Sequence, residues 1–146
     1  MNKEKTLESI KNARKAHESQ MDKIVLAIEG KTVNNPTAVS KTECAFGKWF
    51  YGDDNLRNIL GALFYDNVES LHAKWHNEYV SIFNLLFKVE KKGFFSKMIG
   101  SSSISDMDLD KAKLYYSELE ITTQELLKAL GSAERRMSAL PESKFN

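Results

Sequence analysis

His72 and His76 stand four residues apart in the run HAKWH. On a helix that spacing projects both rings from one face, which is how two imidazoles reach a single metal ion. The chain has 3 histidines and 1 cysteine, so His17 and Cys44 complete the set of its nitrogen and sulfur donors of this kind. Three neutral imidazoles and one thiolate form a tetrahedral S/N set that suits Zn²⁺. Each residue also has a plainer reading. A lone histidine on an apolar helix face is ordinarily a hydrogen-bonded core ring, and a lone cysteine packs as a small hydrophobe. What argues for a shared site is that all three histidines fall on stripes that should be apolar.

Cys44 lies in TECAFGKWFYGDD, residues 42–54. This stretch predicts a short helical turn, closed near Gly52, with Phe46, Trp49 and Phe50 as its anchors. Gly47 would allow a tight turn or the close approach of a neighbouring segment. The aromatic rings are read as positioning groups and not as ligands. Carboxylates often orient metal-bound histidines; Glu18, Asp22, Glu43 and Glu69 are near in sequence, and nothing in the sequence separates them.

The elements that must position these residues are helical. Two prolines and 7 glycines in 146 residues leave room for long helices. A first helix is predicted from about Lys5 to Glu29, with an inward stripe of Leu7, Ile10, Arg14, His17, Met21, Ile24 and Ile28 at alternating steps of three and four. Arg14 can carry its charge to solvent along its stem. Residues 31–41 read as a loop around Asn-Pro. A short helix over 55–63 could run into the next despite Gly61. The long helix over about 65–89 turns Val68, His72, Trp75, His76, Tyr79, Phe83, Leu86 and Phe87 inward. A connection follows over 90–105, and a last helix runs from about Asp106 to Met137. Its stripe (Leu109, Ala112, Tyr116, Leu119, Thr123, Leu126, Leu130, Ala133, Met137) has heptad spacing. Period-two alternation is missing. The expected fold is all-α: an antiparallel bundle of three long helices and one or two short ones, with the zinc site in its core. Residues 1–140 form one domain and 141–146 a frayed tail.

Composition narrows the function. Net charge is +1 with 28% charged residues, without the basic excess of a nucleic-acid binder. One cysteine excludes an internal disulfide framework. The polar N-terminus has no apolar signal core, and no run of about 18 apolar residues could span a membrane. The expected setting is cytoplasmic. In KKGFFSKMIG, residues 91–100, basic and apolar residues mix. That mixture could touch an anionic membrane, but a hairpin capping the end of the bundle is the preferred reading and membrane contact is not expected.

His17, the run Cys44-Ala45-Phe46-Gly47-Lys48-Trp49 and the run His72-Ala73-Lys74-Trp75-His76 together resemble the CZB family, the chemoreceptor zinc-binding domain of bacteria. The family pattern is a histidine, then C-x-aliphatic/aromatic-G-x-aromatic/aliphatic, then HxxxH, each after a gap of some two dozen residues. Here Cys44 follows His17 by 27 positions and His72 follows Cys44 by 28. One departure is Ser19, where the family usually carries a large apolar residue two positions after the first histidine; Met21 could fill that volume. The resemblance covers about 17–76. It implies a helical domain holding one Zn²⁺ through His17, Cys44, His72 and His76. It also implies a cytoplasmic sensor of zinc or thiol oxidants that is not an enzyme and is often a homodimer. The chain carries no methyl-accepting coiled coil and no GGDEF-type sequence. It therefore looks like a stand-alone member signalling in trans to a chemotaxis or diguanylate cyclase (cyclic-di-GMP) partner. Two other readings remain open. The zinc could be a permanent staple in an adaptor, or the bundle could be a haemerythrin-like di-iron protein, although that site uses about five histidines with bridging carboxylates.

Overall fold

The computed structural model describes residues 2–31, 33, 38–87 and 105–145. Three long helices dominate: α1 (Lys3–Ile28), α4 (Ala62–Phe87) and α5 (Asp106–Ala139). Two short ones, α2 (Ala45–Gly52) and α3 (Leu56–Leu60), lie between α1 and α4. No strand occurs among the described residues. The all-α expectation and the helix inventory hold.

Local chemistry explains the helix ends. The Asn2 side chain accepts from the Lys5 N–H at 2.9 Å and starts α1. Ser105 does the same for α5 through the Asp108 N–H at 3.1 Å. Asp106 and Asp108 near that end, and Arg136 in the last turn, complement the helix dipole. The short helix does not run into the next one. Gly61 takes φ +88°, a left-handed backbone that side chains resist, and α4 starts directly after it at Ala62. Arg136 locks this corner by donating from Nε to the Leu60 carbonyl at 2.6 Å.

The helices α1 and α4 share a direction, and α5 runs against both. Three cross-links record this order. Tyr79 donates to Gln20 at 2.9 Å, Trp75 Nε1–H donates to Thr123 Oγ1 at 2.8 Å, and Lys3 Nζ donates to the Leu140 carbonyl at 2.8 Å. The chain from α2 to α3 carries it back to the starting end, which is why antiparallel packing involves α5 alone. Ile10, Ile24, Ile82, Leu119, Leu126 and Leu130 are among the fully buried aliphatics. Each contributes about 1.5–3 kcal/mol through apolar burial. Arg14 does leave the core, as its long stem allows, and pairs with Glu134 at 3.0 Å.

The tail departs from expectation. Residues Glu142–Phe145 form a 3₁₀ turn rather than a frayed end, and Phe145 is only 3% exposed. Burial of one aromatic ring outweighs the entropy of a short terminus, and Lys3 ties the same corner to α1 through the Ser138 and Leu140 carbonyls. The expected hairpin over 91–100 falls outside the described residues. No helix among those described is long and apolar enough to cross a membrane. Phe145→Ala is expected to cost about 3 kcal/mol, the low end for a buried phenylalanine, read as a shift of the urea midpoint; an unchanged midpoint would restore the frayed tail.

Candidate metal centre

The sequence places His17 in the middle of α1, Cys44 at the cap of α2, and His72 and His76 on successive turns of α4. The fold brings all four together. The three histidines are 3%, 0% and 6% exposed, and one donor atom from each lies within 4.8 Å of the others. Cys44 is half-buried, and its Sγ sits 3.4 Å from His72 Nε2. The Nε2 atoms of His72 and His76 are 3.0 Å apart.

Hydrogen bonds on the far sides of the rings decide which nitrogens face the centre. His17 Nδ1 is 2.6 Å from the Ala13 carbonyl, and His76 Nδ1 is 3.0 Å from the Val39 carbonyl. A carbonyl only accepts, so both Nδ1 atoms carry the proton and both Nε2 atoms are bare. On His72, Nδ1 is 3.4 Å from the Tyr51 hydroxyl. That hydroxyl also bonds Glu69, which pairs with Lys41 Nζ at 2.7 Å. Of the four carboxylates near in sequence, Glu69 alone enters this chain; Glu43 caps the Ser40 hydroxyl instead, at 2.7 Å.

Cys44 is seated by backbone. As the cap of α2 its sulfur accepts from the Gly47 N–H at 3.2 Å, and it lies 3.5 Å from the Lys41 carbonyl. A Cβ on Gly47 would fall 1.6 Å from that same carbonyl oxygen, so only glycine fits where α2 crosses the preceding turn. Phe46 and Phe50 are buried, and Phe50 stacks on Tyr65 with centroids 4.3 Å apart. Trp49 is only partly buried and lies farther out than expected. The edges of Trp75 and Phe46 wall the imidazoles, at 4.6 Å from His17 and 4.9 Å from His72. A cavity of about 300 Å³ opens beside the centre, lined by Cys44, His17, His76, Val39 and Tyr79 among others.

Burial dominates the electrostatics. It drives the His72 pKa down to about 2, helped by His76 and His17, and that of His76 down to about 4. His17 is lowered for the same reason, against the pull of its carbonyl bond. The rings are thus neutral, as metal ligands must be. Burial also pushes the Cys44 thiol up, opposed by the Gly47 and Phe46 N–H groups and the Lys48 charge. Nearby bare nitrogens in a dry interior are relieved only by a shared proton or a cation. The donor set present, three imidazoles and a sulfur, therefore fits a tetrahedral zinc ion. No carboxylate belongs to the histidine cluster among the described residues, which removes the bridging groups that a di-iron centre would need.

These features define a helical bundle with a buried metal-binding cluster. Residues 17–83 match the family model of the chemoreceptor zinc-binding domain. Comparisons with curated proteins and with solved structures returned no match. The matched segment holds all four donors and ends within α4, at Phe83.

The lowered histidine pKa values set a pH dependence. Between pH 6.5 and 5 the unfolded chain takes up protons on His72 and His76 that the folded chain refuses, so stability falls as pH falls. The loss at pH 5 is of order 1–2 kcal/mol per histidine, above the range where ordinary carboxylates titrate. Thermal unfolding of the metal-free protein from pH 7.5 to 5 should show a falling midpoint, and a flat profile would contradict neutral burial.

Proposed function

We propose that His17, Cys44, His72 and His76 together hold one Zn²⁺ and that the site is a regulatory sensor of zinc or thiol oxidants. The observation that carries this reading is the convergence of the three imidazoles beside a half-buried thiol that lines an open cavity. When bound, zinc would supply the charge that keeps Cys44 a thiolate at neutral pH and would tie together α1, the cap of α2 and α4. Four protein donors leave no position for a substrate water, so the role is regulatory and not catalytic.

The thiol is the responsive donor. It is the least buried of the four, and small oxidants can approach it through the cavity. With a peroxide, the Cys44 sulfur forms an S–O bond as the O–O bond breaks and hydroxide leaves. The sulfenic acid produced is a poorer ligand than the thiolate. Its release frees the Cys44 cap from His72 and loosens α2 against α1, with which α2 packs. A functional free thiol of this kind fits a reducing, cytoplasmic setting.

The change is read by a partner, for which a chemotaxis or cyclic-di-GMP signalling protein is the proposed class. Self-association would carry the signal between subunits. Met107, Leu114 and Ile121 on α5 support it: they are 70%, 59% and 61% exposed and repeat every seven residues. Under this reading Leu114→Glu combined with Ile121→Glu sediments as a monomer where the parent chain sediments as a dimer; a parent chain that is itself monomeric would remove the self-association step.

Metal analysis tests the centre directly. The purified chain should carry about one equivalent of zinc, while Cys44→Ala and His72→Ala should give it up to a competing chelator. Mild peroxide should release zinc from the parent chain, followed with a chromophoric chelator. Zinc that is retained through thiol oxidation would instead mark a permanent structural staple.

A further inference from the structure

His17 and His76 are oriented by main-chain carbonyls, which no substitution at the accepting residue removes. His72 differs, because its outward nitrogen meets only a side chain, the Tyr51 hydroxyl at 3.4 Å. We propose that Tyr51 and Glu69 are the positioning residues of the metal centre: together they hold His72 in the one tautomer and ring orientation that leaves Nε2 bare toward Cys44. This rests on the zinc reading above and adds to it the groups that set how tightly His72 binds.

The direction of each hydrogen bond follows from chemistry. Glu69 is a carboxylate and can only accept, so the single Tyr51 proton is committed to it. The Tyr51 oxygen then has only lone pairs to offer His72, so their hydrogen bond draws the His72 proton to Nδ1, in competition with the bond that a His72 Nε2–H would make to His76 Nε2 3.0 Å away. With the proton on Nδ1, Nε2 is left free for a metal. Lys41, at 2.7 Å from the other Glu69 oxygen, holds the carboxylate in place. Lys41 also lies over the Tyr51 ring, 5.5 Å from its centroid.

The position of Tyr51 in the chain gives the link a consequence. Cys44 caps the first turn of α2, and Tyr51 lies in its last turn. One eight-residue helix therefore delivers both the sulfur and the hydroxyl that orients the ring facing it. A displacement of α2 moves the thiol and releases His72 in the same event, so two donors weaken together. Neither Tyr51 nor Glu69 is among the four donors, and neither is needed for His17 and His76 to keep their carbonyl bonds.

Tyr51→Phe is the cleanest test, since it keeps the ring and deletes only the hydroxyl. Zinc affinity is measured by competition with a chromophoric chelator at pH 7.4. In parallel, ¹⁵N-labelled histidine spectra of the metal-free protein report which ring nitrogen carries the proton. The parent chain should show His72 protonated on Nδ1. Tyr51→Phe should show a mixture of tautomers at His72 alone and bind zinc about 10–100-fold more weakly. Glu69→Gln keeps an acceptor for Tyr51 but frees the hydroxyl to choose, so it should fall between the two. Unchanged tautomer in Tyr51→Phe, or affinity within about twofold of the parent, overturns the proposal. A parent chain that takes up no zinc would overturn the zinc reading instead, while the tautomer spectra would still judge Tyr51.

Discussion

Three imidazole nitrogens crowded into a dry interior are the constraint around which this bundle is built. The Nε2 atoms of His72 and His76, 3.0 Å apart, cannot turn away because their rings are pinned from behind and walled by Trp75 and Phe46. Burial forbids the rings from taking up protons. A group of polar atoms held this way is costly unless something is shared among them. The rest of the fold supplies the restraint. Trp75 bonds Thr123 on α5, Tyr79 bonds Gln20 on α1, and α5 braces both helices along their length.

The chemistry was more legible in the sequence than the geometry that supports it. The donor quartet could be named because the three histidines fell on stripes that should be apolar, because HxxxH has one helical meaning, and because Cys44 is the one thiol in the sequence. The long helices could be traced because their apolar periods are sustained. What escaped was set by contacts between segments. On α1 the buried seam runs through Ala13 and Thr6, where the periodic reading chose Arg14 and Leu7, since a stripe several residues wide does not say which edge faces its neighbour. Ile82 is fully buried on α4 although the reading favoured Phe83 beside it. The break at Gly61 depends on a left-handed backbone that a glycine permits but does not require. Phe145 lies near a chain end, where only tertiary packing reveals that a ring is held.

Tyr51 is the instructive omission. It follows Trp49 and Phe50 in sequence, and it reads as one more packing group. Its hydroxyl matters only because α2 lies across α4, so that Glu69 and His72, one turn apart, face the same oxygen. Glu69 was among four acidic residues that nothing in the sequence distinguished. The separation came from a chain of donors and acceptors spanning three segments, which is information about directions in space.

The turn that precedes α2 has an unusual division of labour. The carbonyl of Val39 holds His76 and the carbonyl of Lys41 lies against both Cys44 and Gly47, so these contacts are made by main chain. The Val39 side chain itself is exposed to solvent. Identity at that position is therefore freer to drift than spacing: exchanging one side chain for another leaves the carbonyl where it was, whereas adding or removing a residue between 39 and 44 would pull the oxygens off the ring and the sulfur at once. Related chains that preserve this centre should vary in the letters of that turn and agree in its length.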